Sequence, residues 1–443
     1  MTASARLHRV LCAAALLAVA SVYLIAHGAP DTSRRALYIV VHFVLTASMF
    51  GVWATNGTAT AGEHRVTLAT GILARLILIA VPVFTTSDVA RYLWDGRAIL
   101  EGLDPYVVSP IAPEAAALRG LWPFPTANNR VPTIYPPLAE TVFALSAVFG
   151  AETSLFVYKA AVAAASIATL VWTARLLRLL SLERHLALVA LSPLLILEGG
   201  VGAHVDIFAA ASLAGALLLS TRGRSFLAGG AVGLGVLFKL MPAVLLVPFV
   251  LGLRRANALR TLSGAALVVA GGYGLALAAG YEPIGSLFVF LEKWRFGSPL
   301  QSAVRTLAGE GAVPYVAAVL GAMGLVASVV AARRERLAVG LTIALATVII
   351  VSPVAHPWYL APLIVLLPLA PNAFVLGWAT AFPLAYEVGD HFAATGRWEP
   401  ATWPLVAIAL TWMLSLAFDV SRARGAAVAK GEAAVTAVRG AGK

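Results

Sequence analysis

Apolar runs of about 20 residues recur along almost the whole chain, each long enough to cross a hydrocarbon core of about 30 Å. A backbone that crosses lipid must satisfy its own hydrogen bonds, and the runs are continuous rather than alternating, so they read as helices and not as barrel strands. The expected fold class is an all-α polytopic membrane protein. Composition agrees: 60% of the 443 residues are hydrophobic and 12% are charged, too little polar surface for a soluble chain of this length. The single cysteine, Cys12, lies in the first run, so there is neither a disulfide framework nor a cysteine metal site. A net charge of +11 suggests nucleic acid at first sight. In a membrane protein it is better explained by basic cytoplasmic loops, so the expected partners include membrane lipids and no nucleic acid.

About fourteen spans can be placed, at roughly 10–27, 37–55, 66–86, 154–176, 186–201, 205–221, 225–238, 240–253, 261–281, 312–332, 337–353, 357–371, 373–388 and 401–419. The first reads as a retained signal-anchor, since many spans follow it. With the N-terminus inside, Arg175/Arg178/Arg184, Arg222/Arg224, Arg254/Arg255/Arg260, Arg333/Arg334/Arg336 and the tail basic residues Arg422/Arg424/Lys430 face the cytoplasm. Asp88, Asp95, Asp104, Glu114, Glu282, Glu292 and Asp390 fall on the other side, and Arg34/Arg35 is the one dissenting cluster. This topology requires Leu138 to Phe149 to lie at the outer interface rather than cross. The chain then divides into N-terminal spans (1–86), an outer loop with interfacial helices (87–153), a bundle (154–425) with a second outer loop at 282–311, and a disordered cytoplasmic tail (426–443).

The first outer loop concentrates chemistry. It opens Thr86-Ser87-Asp88-Val89-Ala90-Arg91-Tyr92-Leu93-Trp94-Asp95-Gly96-Arg97, passes Gly102-Leu103-Asp104-Pro105-Tyr106 and ends at Tyr135-Pro136-Pro137-Leu138. A carboxylate where lipid meets water can act as a general base, because partial burial raises its pKa. Arginine beside it suits a phosphate or carboxylate, and aromatic rings suit sugar faces or headgroup depth. The alternative is an interfacial loop stabilised by ion pairs and an aromatic belt.

The order Asp88…Arg91-Tyr92…Gly102-x-x-Pro105-Tyr106…Tyr135-Pro136-Pro137-Leu138 resembles GT-C glycosyltransferases, multispan enzymes that use polyprenyl-phosphate sugars. It is similar to bacterial family-87 and polyprenol-phosphomannose-dependent mannosyltransferases. Phe238-Lys239-Leu240-Met241-Pro242 resembles their Lys-x-x-Pro element, and His356-Pro357-Trp358-Tyr359 their late His-Pro-Trp-Tyr motif. Gly202-Ala203-His204-Val205-Asp206 stands where many relatives carry a short polar break. The resemblance covers about residues 86–360 and names the class rather than the sugar. The two spans before Asp88 are additional to the simplest plan of that class.

The resemblance implies a GT-C-like bundle in a bacterial inner membrane, with both termini cytoplasmic and the active site outside. It implies inverting transfer of a hexose, mannose first, from a polyprenyl-phosphate donor to a lipid-linked or glycan acceptor. Asp88 would be the catalytic base. Arg91, Tyr92, Lys239, His356, Tyr359, His204 and Asp206 would serve the donor phosphate or sugar, and Asp95, Tyr106, Tyr135, Lys293 and Arg295 the acceptor or the loop. Each has a plainer reading. Lys239 can snorkel or pair with Asp206 or Glu198, Asp206 can cap a helix, and His356 can belong to an aromatic belt. Lys293 and Arg295 can sit on a solvated interfacial helix. Arg75 is mid-span and needs a polar partner the sequence does not name. The Gly-rich stretch Gly229 to Gly235 reads as close helix packing. No cofactor is expected, and no metal, since His204 and Asp206 are too few ligands. The absence of a nucleotide-binding motif disfavours a sugar nucleotide. A flippase would need an internal repeat, and a glycan polymerase or ligase a lipid diphosphate donor.

Overall fold

The computed structural model describes residues 2–125, 128–395 and 401–440. Among them there is no strand, only two isolated β-bridges, Arg119 with Trp122 and Phe296 with Val354. Helices α1 (Ala3–Gly28) and α2 (Asp31–Thr55) form a hairpin, and α3 (Ala61–Ile77) packs on α1. An extended stretch leads to α4 (Asp88–Leu100), and a long loop to α5 (Pro137–Ala147) and α6 (Ala151–Leu179). The bundle continues through α7 (Ala187–Ala190), α8 (Pro193–Gly200), α9 (Asp206–Thr221), α10 (Ser225–Phe238), α11 (Leu246–Gly252) and α12 (Arg255–Ala278). Then α13 (Leu287–Lys293) and α14 (Pro299–Ala308) form the second loop region, before α15 (Val313–Arg333) and α16 (Leu337–Val351). The chain ends in α17 (Ala361–Leu366), α18 (Ala373–Ala381), α19 (Val388–Thr395) and α20 (Thr402–Gly440).

The protein is membrane-embedded, and its long helices account for six of the roughly fourteen spans expected. Among the described residues six helical segments are long and apolar enough to cross: Ala3–Gly28, Ser33–Thr55, Ala151–Leu179, Arg255–Ala278, Glu310–Arg333 and Thr402–Ala423. The other apolar runs are shorter helices, several of them interrupted at proline. Pro193, Pro242, Pro357 and Pro383 each open a new helical segment. Proline lacks an N–H and disfavours helical backbone in the residue before it, so a run apolar enough for one helix becomes two short ones. Helix α5 has 11 residues, about 16 Å of rise, half of what a crossing needs. It lies against α4 so closely that a Cβ on Gly96 would collide with the Phe143 carbonyl. At the other end, α20 continues to Gly440, where a disordered tail from 426 was expected. The Ala-rich sequence there has high helix propensity. Residues 441–443 lie outside the described residues, as do the side chains of Asp390, Arg424 and Lys430.

Polar residues inside the bundle close helix ends. Arg75, 2% exposed, donates to Ser166 Oγ (2.8 Å) and to the carbonyls of Gly71 (2.7 Å), Ala190 (2.9 Å) and Val189 (3.1 Å). These are the partners the sequence could not name. Lys159 donates to the Leu78 (2.8 Å) and Val81 carbonyls, where α3 gives way to extended chain. A carbonyl past a helix end, such as that of Val81, would be costly to leave bare in a low-dielectric interior. The glycine-rich α10 packs directly on α12: a Cβ on Gly229 would strike Thr261, and one on Gly264 would strike Phe226.

Candidate active site

A cavity of about 460 Å³ collects residues from both loop regions and from the broken helices. Its polar lining includes Asp88, Arg91, Tyr135, Lys239, His356 and Tyr359. Much of the rest of the wall is apolar: Met241 and Val244 after Lys239, Leu287, Phe290, Leu291 and Trp294 from the α13 region, and Val348 and Ile349 from α16.

Asp88 is the first residue of α4, and its N–H donates to Thr86 Oγ1 (3.1 Å). A quarter of its side chain is exposed, and it faces the cavity. Burial pushes the carboxyl up to about 6; Lys239 pulls it down and Asp206 pushes it up. The cation that offsets the desolvation of Asp88 is Lys239, while Arg91, one turn along α4, pairs with Asp95.

Lys239 ends α10 in extended conformation, three residues before Pro242. Its ammonium pairs with Asp206, 2.8 Å from Oδ1 and 2.9 Å from Oδ2, and sits 3.9 Å from the Tyr359 ring centre. Of the readings open from sequence, pairing with Asp206 is the one observed, and Lys239 lines the cavity as well. A cation held by one carboxylate and one π face keeps donors available to a ligand.

Next to it the rings of Phe296, His356, Trp358 and His204 form a continuous stack, with successive centroids 4.4, 4.2 and 3.7 Å apart. Burial, helped by Lys239, holds His356 down to about 3, so its imidazole is neutral and offers one N–H. Phe296 reaches the stack because the second loop bridges to the His356 motif: its N–H donates to the Pro353 carbonyl (3.1 Å), and Ala355 N–H donates back to it (2.8 Å). Gly297 turns the chain at φ +63°, and a Cβ there would collide with the Ala355 carbonyl.

Arg91 is committed to holding the first loop. Its Nε donates to both oxygens of Asp95 (2.7 and 2.8 Å), and Nη1 to the carbonyls of Asn128 (2.6 Å) and Val131 (2.9 Å). Beside this pair, Thr133 Oγ1 donates to Glu140 (2.6 Å), whose carboxyl is pushed well above its usual range by burial and by Asp95. The Tyr135 hydroxyl donates to Tyr92 (3.2 Å), whose ring stacks on Phe143 at 4.6 Å. Both loops are tied together where Ser286 donates to the carbonyls of Pro132 (2.7 Å) and Thr133 (3.1 Å).

Asp88, Arg91, Tyr92, Tyr135, Lys239, His356 and Tyr359 are thus brought to one cavity. The remaining candidates are not in its wall. Asp95 is buried under Arg91, Asp206 backs Lys239, and His204 lies behind Trp358. Tyr106 is buried in the loop, Arg295 pairs with Glu310 (3.5 Å), and Lys293 is not among the residues of this wall. Trp294, which does line the cavity, stands between Lys293 and Arg295 in a stretch whose charge and aromatics mark it in the sequence; nothing local marks Glu140 or Lys159. Among the described residues no group of three His, Cys, Asp or Glu side chains is placed to hold a metal.

A family model described as alpha-(1->6)-mannopyranosyltransferase, N-terminal domain, matches residues 10–255. That range takes in Asp88, Arg91, Tyr135 and Lys239; the cavity wall from Leu287 to Tyr359 lies beyond it. No curated protein matches the chain.

Proposed function

Because the chain belongs to the alpha-(1->6)-mannopyranosyltransferase family, we propose that it transfers mannose from a polyprenyl monophosphate to a lipid-linked or glycan acceptor at the outer face of a bacterial inner membrane. The observation that carries this is the character of the cavity: Asp88, Lys239 and a neutral His356 share a wall with Met241, Val244, Leu287, Phe290, Val348 and Ile349. A ligand suited to it is anionic at one end and a long apolar chain at the other, which a lipid phosphate is and a sugar nucleotide is not. Asp88 takes the proton of the acceptor hydroxyl as its oxygen bonds to the anomeric carbon. The bond from that carbon to the phosphate oxygen breaks, and the phosphate leaves with the electron pair. Lys239 supplies the charge that stabilises it, with the N–H of His356 and the free Nη2 of Arg91 as further donors. A single displacement inverts the centre, so an α product calls for a β-linked donor. The Arg clusters at 175–184, 222–224, 254–260 and 333–336, at or near helix ends, support cytoplasmic termini.

The test is transfer from radiolabelled polyprenyl-phosphate mannose by the purified protein in chelator-treated buffer, with membrane extract as acceptor. Release of polyprenyl phosphate is expected. Transfer from a sugar nucleotide in lipid-free detergent would refute the donor.

A further inference from the structure

The turn between α8 and α9 carries a histidine that the reaction just described does not use. His204 is fully buried, and neither ring nitrogen makes a hydrogen bond among the described residues. An imidazole with both nitrogens bare in an interior is costly unless something near it makes use of them. Two carboxyl groups stand at its two nitrogens: Asp88 Oδ2 is 3.7 Å from Nδ1, and Glu198 Oε2 is 3.5 Å from Nε2. Both separations exceed a hydrogen bond, and contacts of this kind commonly tighten only in the substrate complex. The ring cannot swing away. It stacks on Trp358 with centroids 3.7 Å apart and planes 10° apart.

The backbone is shaped around that ring. Its N–H donates to the Glu198 carbonyl (3.0 Å), and Ala203 takes a left-handed φ of +48° to bring it round. A Cβ on Gly202 would come within 2.6 Å of the imidazole Nε2 and 3.0 Å of Glu198 Oε2. A non-glycine residue in left-handed conformation costs about a kcal/mol or more, and it persists only where its surroundings demand it. Glu198 is fixed in turn, accepting from the hydroxyls of Tyr386 (2.6 Å) and Tyr38 (3.4 Å). These contacts form a line running from two tyrosines through a carboxyl and an imidazole to the one carboxylate that faces the cavity.

We propose that His204 is a positioning residue for Asp88, oriented by Glu198. The proposal rests on the reading of Asp88 as the base. Burial pushes the Glu198 carboxyl up to about 8, so it is protonated, and its O–H, facing Nε2, donates there and leaves the imidazole proton on Nδ1. That N–H donates to Asp88 Oδ2, turning the other oxygen to the acceptor hydroxyl and stabilising the carboxylate form. The acceptor proton goes to that free oxygen, and His204 keeps its own throughout. Such second partners of a reacting group set its orientation and basicity without touching substrate.

The test is the pH profile of kcat/KM for three variants beside Asp88→Asn. His204→Phe keeps the stack on Trp358 and removes both nitrogens. It should lower kcat about tenfold to hundredfold, the scale of one hydrogen bond to a charged group. Donor KM should stay unchanged, and the acid limb should move up by about one pH unit, because the carboxylate has lost a donor. His204→Asn puts an amide donor at the Nδ1 position and should restore the wild-type limb, whereas His204→Gln, which reaches toward Glu198, should not. Lys239, Asp206, His356, Tyr92, Tyr135, Tyr158, Tyr359 and Tyr386 also face these two groups. They are common to all variants, so a difference between Asn and Gln at 204 belongs to the Nδ1 contact. Identical limbs in the Asn and Gln variants, or an unmoved limb in His204→Phe while Asp88→Asn is inactive, would overturn the positioning role alone. An active Asp88→Asn would remove the base and this inference with it.

Discussion

Two cations line the same cavity, each beside a buried aspartate, and they are held in opposite ways. Arg91 donates to Asp95 and to two backbone carbonyls, leaving only Nη2 without a partner. Lys239 has one carboxylate, Asp206, and otherwise rests over the Tyr359 ring. The guanidinium is a planar fork that ties several groups at fixed angles, and here it ties residues 128–131 to α4. The ammonium is a point charge with rotatable donors and can follow a moving phosphate. From sequence the two looked alike, both as phosphate contacts. The difference in partners assigns them different tasks: Arg91 builds the wall, and Lys239 acts at it.

The largest expected effect sits between them. Asp88→Asn keeps the shape of the base and removes its proton affinity, so turnover should fall about a hundredfold to ten-thousandfold. Thermal stability in detergent should hold, because an amide is cheaper to bury than a carboxylate. Wild-type turnover in this variant would show that the cavity runs some other chemistry.

The comparison itself breaks or stands on two double variants. Lys239→Met alone leaves Asp206 as an uncompensated buried charge, a cost of about 3–5 kcal/mol. Lys239→Met with Asp206→Leu should recover most of that stability, read by thermal unfolding, yet leave turnover about a hundredfold to a thousandfold down. Arg91→Met with Asp95→Leu should also refold, with a turnover loss nearer tenfold, the scale of one lost charge-assisted donor. Equal losses in the two doubles would erase the distinction. Asp95→Asn should destabilise the loop, since Asp95 is 1% exposed and is the one carboxylate to which Arg91 donates.

The pH dependence sharpens it further. Asp88 acts in its ionised form, and its pKa is raised to about 6. Activity should therefore be full above that value and fall about tenfold per pH unit below it. His356, held at about 3, contributes no step in that window. A kcat/KM profile flat to pH 5 would mean that Asp88 is not the group being titrated.

The helical character of the chain, the chemistry-bearing loop and most of the polar wall were legible in the sequence, because charge inside apolar runs and outer-loop motifs are strong local signals. Where the apolar runs break was not. Hydropathy sees an apolar run, but whether Pro193 or Pro357 splits it depends on where the freed backbone groups find partners. Partners were also invisible: Arg75 meets carbonyls of 189 and 190 more than a hundred residues away. The Glu198–His204–Asp88 line joins segments that only packing brings together.

The smallest effect separates two neighbours that the sequence could not tell apart. Lys293 and Trp294 are adjacent in the second loop region, and the basic residue was the natural candidate for a headgroup or acceptor contact. The structure puts Trp294 in the cavity wall beside Phe290 and Leu291, whereas Lys293 closes α13 outside it. An indole there offers a large apolar face to a lipid chain or a sugar ring. Removing it forfeits about 2 kcal/mol or more of ligand contact, so Trp294→Ala should raise donor KM by about tenfold or more. Its effect on kcat should be small, because the ring does not touch the developing charge and the loss is common to ground and transition states. Lys293→Ala removes only a charge at the end of an interfacial helix and should leave both constants alone on neutral lipids. A Lys293 variant that loses donor affinity while Trp294→Ala keeps it would mean that this loop recognises its ligand by charge rather than by the apolar wall.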